Sequence, residues 1–559
     1  MSSNIFSILN TAKLGLLTQQ LALEVTGNNI ANVQTEGYSR QDVVLESNTP
    51  RSTSQGQLGT GVRVAGIERV FDKFLFQQIL SEGDPTGNFK VRKDVFDQLE
   101  VLFNENQGRS LNSELSGLFS AFQDLSANPN GLPERAEVLS RAQSLTAVFN
   151  NLGDGLSKIQ RNIDAIVSDE VAKVNNLIDE IAKLNQAVFA NSPGQFSAND
   201  LKDKRDKLIK ELSQKIDISV LNESDGQLSL TLGDGTPLVL KDVPFNLSTG
   251  LNGNNKSFLD VFVSNGAGGT TNVTSAIQGG ELKGYLDMRD LEVPAVKDKL
   301  NRLAAGFVQE FNRVHQQGFG IDGSTGVNFF TPLSPTVFTN TLNTGSAQVS
   351  VQNASPTTVS VDDFEITMTG ANSFSLTNLT TGASAGTFTF TPGTTFNLAG
   401  GFAVNITGTP AVGDRFKFSV SENAATFVKV SNEVISNSQK IAAGNSSSVN
   451  GGNAGKLAGL QSELTFNSVT LQSGSGAFTF DEFYNALVST VGVRSATAQA
   501  GVRQQDGVLL QLSNRRESIS GVSIDEELIN LVKFQQAFNG SARMISLVQE
   551  LFDTLINRI

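Results

Sequence analysis

The stretch SIDEELINLVKFQQAFNGSARMISLVQELFDTLINRI, residues 523–559, decides how the chain is organised. Its apolar residues recur in steps of four and three: Ile524, Leu528 and Leu531, then after Gln535 Phe538, Ala542 and Ile545, and after Gln549 Phe552, Ile556 and Ile559. That spacing keeps one stripe on one helix face and is the pattern of a coiled-coil seam. A second row, Phe534, Met544, Val548, Leu551 and Leu555, widens the stripe enough to cover more than one neighbouring helix. Ser523 followed by Glu526 fits a capping box, which satisfies backbone N–H groups left unpaired in a first turn. The opening residues Ile5, Leu9, Ala12, Leu16, Leu23 and Ile30 follow the same spacing, broken by Gln19 and Thr26. Two readings of these ends stay open: an antiparallel pair closing one bundle, or helices that order only against other copies of the chain.

Composition sets the outer limits. A chain of 559 residues, 39% hydrophobic and only 17% charged, supports several globular domains. The net charge of −13 and the lack of a dense Lys/Arg run give phosphate binding no electrostatic support, so no nucleic-acid partner is expected. There is no cysteine and one histidine, His315, which excludes disulfides, thiolate metal sites and cysteine nucleophiles. The first residues lack a basic segment followed by an unbroken apolar run, because Asn10, Lys13 and Gln19 interrupt it. No cleaved signal peptide and no membrane insertion are expected.

After the first helix comes Asn28-Asn29-Ile30-Ala31-Asn32-Val33-Gln34-Thr35-Glu36-Gly37-Tyr38-Ser39-Arg40, whose Asn and Gly residues favour a helix stop leading into extended chain. Residues 43–76 read as extended segments and turns. Helical stripes follow in Val95, Leu99 and Leu102 and in Leu111, Leu115, Leu118, Phe122 and Leu125. From Pro133 a very long helix keeps the four-three step to Ile163, slips at Val167 and Val171, and resumes at Val174, Ile178 and Ile181; such a stutter locally unwinds a supercoil. In residues 199–210, Asp200 and Lys204, Asp203 and Lys207, and Asp206 and Lys210 are each four apart, acid first, the spacing of helix-surface ion pairs rather than of catalysis. His315, near a helix end, reads as a C-terminal cation or a satisfied polar residue. Asp322-Gly323-Ser324-Thr325-Gly326 lacks the ligand series of a calcium loop and reads as a turn.

As a string, the Asn28–Arg40 segment resembles the N-terminal signature of the bacterial flagellar axial proteins, the family of rod, hook and hook-associated proteins. Ser520 to Glu527, Leu531, Phe534 to Phe538 and Leu551 to Leu555 resemble the closing motif of its hook-associated members, with Phe538 where that pattern has tyrosine. Asn199 to Leu208 and Gly279 to Asp290 resemble their helical domain. The resemblance implies a non-enzymatic structural protein without catalytic, cofactor or metal site, exported through the flagellar type III apparatus to the extracellular flagellum. It implies a homo-oligomeric ring at the hook–filament junction, between the hook protein and the next hook-associated protein on the filament side. It also implies a cytosolic export chaperone on the C-terminal helix. The assembly residues are then Ile5, Leu9, Leu16, Leu23, Ile30, Asn28, Asn29, Asn32, Thr35, Gly37 and Tyr38 at one end. At the other they are Ile524, Leu528, Leu531, Phe534, Phe538, Ile545, Leu551, Phe552, Leu555 and Ile556. The alternatives are a hook or distal-rod protein, which should lack the long helical region of 133–213, and a flagellar scaffold carrying an adhesin-like or wall-degrading module.

The expected fold is a mixed α and β multidomain chain: terminal coiled-coil helices and a long helical bundle with inserted all-β domains. Residues 1–40 with 520–559 form the terminal coiled-coil assembly domain. Residues 41–215 with 270–330 and 426–519 form a helical rod-like domain. Residues 216–269 are a small β insertion with period-two alternation. Residues 331–425 are a Thr/Ser/Gly-rich outer β domain, where Phe374, Leu376, Phe402, Val404, Ile406, Phe416 and Phe418 alternate as half-buried strands do.

Overall fold

A computed structural model describes residues 2–556, apart from 54–55, 104–109, 192–197, 224, 267, 355–358, 399, 448–449 and 467–475. The chain opens with helix α1 (Ser2–Ala31), then an antiparallel pair formed by β1 (Gln41–Ser47) and β4 (Val62–Arg69) around the short hairpin β2 (Arg51–Thr53) and β3 (Gly56–Leu58). Helices α2 (Lys73–Phe103), α3 (Leu111–Ala127), α4 (Leu132–Ala190) and α5 (Asn199–Lys215) follow. Helix α2 begins inside the stretch read as extended and runs straight through Gly83-Asp84-Pro85-Thr86-Gly87, which reads locally as a breaker. Packing overrides the local signal: Gly83 lies against Ser213 and Gly87 against the Gln214 carbonyl, so the missing side chains let α2 lie directly on the end of α5.

Helix α4, with 59 residues and a length of about 90 Å, is the beam on which two cores are built. Its buried stripe follows the expected one, from Val138 through Ile163 to Ile181. Ile163 is its last residue in the first core and Val167 its first in the second. The stutter therefore falls where the helix changes partners.

The first core joins α2, α3 and α4 to α7 (Val293–His315) and the short helices α8 (Ala424–Phe427), α9 (Asn432–Ser436) and α10 (Gly452–Gly459), while Leu282 and Leu286 of α6 (Gly280–Asp287) belong to the second. Its centre is aromatic: Phe307 of α7 has Phe119, Phe149, Phe311, Phe330 and Phe480 at ring centroid distances of 5.3 to 6.4 Å. Phe480 opens α11 (Phe480–Ser520), whose start carries a complete capping box between Thr479 and Glu482. The second core packs α4 and α5 against two small antiparallel sheets. One is β5 (Ser219–Asn222), β6 (Leu228–Thr231), β7 (Pro237–Leu240) and β8 (Val243–Pro244). The other is β9 (Leu247–Asn252), β10 (Phe258–Ser264) and β11 (Thr270–Asn272).

A third core fills the outer β region, built from β12 (Thr336–Thr339), β13 (Gln348–Asn353), β14 (Phe364–Gly370), β15 (Ser373–Asn378), β16 (Ser384–Thr389), β17 (Thr395–Leu398), β18 (Phe402–Thr407) and β19 (Arg415–Ser419). A five-stranded sheet of order β12-β19-β14-β15-β16 and a three-stranded sheet of order β13-β18-β17 enclose it. Phe364, Phe402 and Phe418 meet inside with centroids 5.0 to 5.5 Å apart. The chain closes with α12 (Ile524–Ile556), which lies antiparallel on α1.

Candidate functional site

Both terminal helices are formed and paired within one chain, as the antiparallel reading had it. Asn29 faces Glu527 at one end, Gly15 lies on Ser541 in the middle, and Phe6 meets Phe552 edge-on at 5.2 Å at the other. Their contact is narrow and unlike the expected seam. On α12 the face turned to α1 is Glu527, Leu531, Phe534, Phe538, Ser541, Ala542, Ile545, Val548 and Phe552. Leu531, Phe538, Ile545 and Phe552 belong to the expected row, but Phe534 and Val548 of the second row replace Ile524, Leu528 and Ile556, which face solvent. On α1 the buried residues are small or polar: Ala12, Thr18, Ala22, Val25, Thr26 and Asn29. Ile5, Leu9, Leu16, Leu23 and Ile30 are only half-buried. Two helices can cover one stripe each, and α1 offers its small-residue side, so the larger apolar side chains are left over.

The leftover rows are substantial. Phe6 is 58% and Leu17 50% exposed on α1, and on α12 Ile529 is 69%, Leu547 59% and Ile556 68% exposed, with Val532, Met544 and Leu551 also uncovered. Several large apolar side chains left exposed on one helix pair mark an interaction face. Ile559 lies outside the described residues, as does the side chain of Leu555.

The asparagine-rich segment is the joint between this pair and the body. Asn29 Nδ2 donates to the Gln41 carbonyl at 2.9 Å and to Glu527 Oε2 at 3.1 Å, while its Oδ1 accepts from Tyr38 Oη at 2.9 Å and the Gln41 amide at 3.0 Å. Asn32 donates to the Asn28 carbonyl and side chain and accepts from Thr35, closing the turn after α1. Gly37 has φ +85°, the left-handed region that favours glycine, and its carbonyl takes a bond from Arg516 of α11. Burial pushes the Tyr38 hydroxyl's pKa up, and the nearby charges of Asp200, Asp203 and Glu527 push it further. Glu526, expected to turn back onto the Ser523 amide, accepts instead from Arg40 at 3.0 Å.

The charged string on α5 is the other half of the joint, and here the expected surface pairs give way to something tighter. Asp203 accepts from the Ser39 amide at 2.8 Å and from Arg69 of β4 at 2.7 Å, and the same guanidinium reaches Asp206 at 2.7 Å. Asp200 accepts from Gln41, and Lys207 pairs with Glu36. Arg205 is buried, bonded to Asn185 and the Gly226 carbonyl, and burial lowers its pKa to about 10. Burial pushes the Asp206 carboxyl up, against the pull of Arg69 and Arg205. The i, i+4 spacing was sound as a helix signal but silent about β4, which lies more than a hundred residues away. A cavity of about 310 Å³ opens beside this cluster, between Glu36, Phe71, Phe76, Lys210 and Arg516.

His315 is a satisfied core residue and carries no charge. Its Nδ1 donates to the Val327 carbonyl at 2.8 Å, its Nε2 accepts from the Ala442 amide at 2.9 Å, and burial lowers its pKa to about 4. Asp322 accepts from the Ser324 amide and hydroxyl, a local turn. Among the described residues no cluster of three His, Cys, Asp or Glu is placed to hold a metal, and no helix is long and apolar enough to cross a membrane.

Comparison with known proteins bears on what this arrangement serves. Residues 96–330 match the model of the flagellar hook-associated protein FlgK helical domain. Residues 515–558 match that of the flagellar basal body rod FlgEFG protein C-terminal region, and residues 9–38 that of the flagella basal body rod protein. Flagellar hook-associated protein 1 of Escherichia coli K12 is 29% identical over 561 residues, covering 99% of both chains. Flagellar hook-associated protein 1 of Bacillus subtilis 168 is 27% identical over 582 residues, covering 99% of this chain and 98% of its own. The solved structure of the flagellar hook junction protein FlgK from Burkholderia pseudomallei shares the fold, with a TM-score of 0.67 at 20% identity over 79% of this chain and all of that one.

Proposed function

The chain belongs to the flagellar hook-associated protein 1 family, structural components of the bacterial flagellum at the hook–filament junction, and from that premise we propose that its paired terminal helices are the assembly element. The observation that carries this reading is the uncovered rows: α1 turns small and polar side chains to the large apolar ones of α12, while Leu17, Ile529, Leu547 and Ile556 stay in solvent. Each such side chain, buried by a sister subunit, contributes roughly 1.5–3 kcal/mol. Of the assembly residues named for the C-terminal end in the sequence, Leu531, Phe538, Ile545 and Phe552 hold the pair, Ile524, Leu528, Leu551 and Ile556 remain for a sister subunit, and the subunits close into a ring. The hook protein lies on one side and the next hook-associated protein on the other.

The same reading assigns residues 1–40 with 520–559 to assembly, residues 41–215 with 270–330 and 426–519 to a rod-like body, and the β regions 216–269 and 331–425 to its outside. The protein is non-enzymatic and reaches the extracellular flagellum through the flagellar type III route. The narrow seam favours that route, because a pair held by few large side chains separates readily for passage as an extended chain. Before export, a cytosolic chaperone takes the seam face of α12 in place of α1, with Phe538, half-buried against α1, at its centre.

Deleting Ser523–Ile559 tests the assembly reading. The truncated chain should keep its three cores, seen as unchanged hydrogen-exchange protection in α4 and α7, yet fail to add to hook tips; continued filament growth would overturn it. Phe538→Asp should abolish binding of the chaperone, and unchanged affinity would remove that site. The hook or distal-rod alternative is disfavoured because the rod-type matches are confined to residues 9–38 and 515–558.

A further inference from the structure

By hydrophobicity alone, α12 would turn Ile524, Leu528 and Ile556 onto α1, since with Leu531, Phe538, Ala542, Ile545 and Phe552 they complete an apolar four-three row. The structure turns the helix otherwise. The inner face starts instead with Glu527, a carboxylate 3% exposed, and continues through Phe534, Ser541 and Val548. The two faces share Leu531, Phe538, Ala542, Ile545 and Phe552, so they differ by a small rotation of α12 about its own axis and by little apolar content. A buried carboxylate in a seam is unfavourable unless it is specifically met, and a buried polar pair is an established way to fix one helix arrangement among several of similar apolar content. Here the partner is Asn29, itself only 1% exposed, whose amide reaches Glu527 at 3.1 Å. Asn29 is in turn fixed by Tyr38 and by both backbone groups of Gln41, which anchor it to the body independently of α12.

We propose that Asn29 and Glu527 are positioning residues that set the rotation of α12 on α1, and so decide which apolar row faces outward. Asn29 supplies a donor in a place fixed by the body. Only the rotation that brings Glu527 inward satisfies it, and that rotation leaves Ile524, Leu528 and Ile556 for a neighbour. The nearby Arg40–Glu526 pair is open to solvent on the Glu526 side and adds little specificity. The consequence for assembly rests on the function proposed above, whereas the rotation itself is a property of the single chain and is tested there.

The absence of cysteine makes the test clean. A Cβ built on Gly15 lies 3.9 Å from Ser541 Cβ, close to the separation a disulfide prefers. Gly15→Cys with Ser541→Cys therefore reports the observed face, and Gly15→Cys with Ala542→Cys the alternative one. In the otherwise native monomer, oxidation should cross-link the 15–541 pair in preference. Adding Asn29→Val and Glu527→Leu should raise the ratio of 15–542 to 15–541 product by about tenfold, equivalent to roughly 1.4 kcal/mol. Glu527→Gln, which keeps a hydrogen-bonding side chain of the same size, should hold the native ratio. An unchanged ratio in the double variant would overturn the proposal. So would an equal loss of both products, because the pair would then hold the helices together rather than orient them. Should the ratio shift while filament growth is unaffected, the rotational role stands and the assembly reading is what fails.

Discussion

Replacing Arg69 with methionine is the sharpest test of the joint. The guanidinium is 12% exposed, bonds Asp203 and Asp206 at 2.7 Å each, and lies 4.1 Å from the centroid of the Phe71 ring. Methionine keeps most of the aliphatic stem and its contact with the ring, so the change removes the charge with little loss of packing. Two carboxylates on one turn of α5 are then left facing each other in a largely dry site. Asp203 retains the Ser39 amide, but Asp206 loses its closest cation. Breaking a buried pair on one side costs about 3–5 kcal/mol, and we expect about 3, because the lost stacking is minor and Arg205 remains nearby. The pH dependence identifies the cause. Burial already raises the Asp206 pKa above its ordinary value; without Arg69 it rises further, so the folded variant binds a proton that the unfolded chain releases. Its deficit should be full near pH 7.5 and shrink as the pH falls toward 5. A chain of several cores does not unfold in two states, so the measurement is native-state hydrogen exchange on the amides of α5. A deficit below about 1 kcal/mol, or one equal at both pH values, would refute the assignment of Arg69 as the cation that holds this joint.

Three further outcomes follow from groups elsewhere. His315 is held neutral with its pKa lowered to about 4 from 6.5, so its contribution is complete above pH 6.5 and is lost as pH falls from there toward 4. Exchange protection in α7 should drop by roughly 3 kcal/mol over that range, and His315→Gln should flatten the decline. Asp84 has a buried Oδ1 without a hydrogen-bond partner, and burial together with the charge of Asp217 pushes its pKa up to about 8. Its contribution is present below about pH 3.8 and lost as pH rises toward 8, so Asp84→Asn should stabilise α2 at pH 8 by about 2–3 kcal/mol, discounted for partial exposure, and have little effect at pH 4. Gly87→Ala should gain about 1 kcal/mol from helix propensity alone, yet a Cβ there strikes the Gln214 carbonyl. Native-state hydrogen exchange on the α2 amides should therefore show net destabilisation by about 1–3 kcal/mol.

Where sequence and structure agree, one physical reason recurs: a periodic stripe records burial against any partner, so it is legible without knowing which. The run from Val138 to Ile181 on α4 and the alternation of Phe402, Val404 and Ile406 were readable for that reason, even to the stutter at which α4 changes cores. The stripe does not say which of two overlapping rows meets α1 when both are apolar; that is legible only from Asn29 and Glu527 together. Ion pairs fail in the same way. Asp203 and Asp206 advertise local lysines at helical spacing, while the cation that binds them sits on a strand brought near only by the fold. The start of helix α2 was obscured because residues 73–76 sit in a stretch read as extended, and what holds the helix there, the close approach of Gly83 and Gly87 to α5, leaves no periodic signal.

The hydrogen bond between Asn29 and Glu527 spans 498 positions of the chain. Whenever the polypeptide emerges with its amino end leading, from a ribosome or from a pore, α1 comes out first and must wait without its mate until nearly everything else has followed. Closure of the terminal pair is therefore a clock that strikes only for a finished molecule. A prematurely terminated copy, however well its middle folds, never presents the face that the closed pair displays.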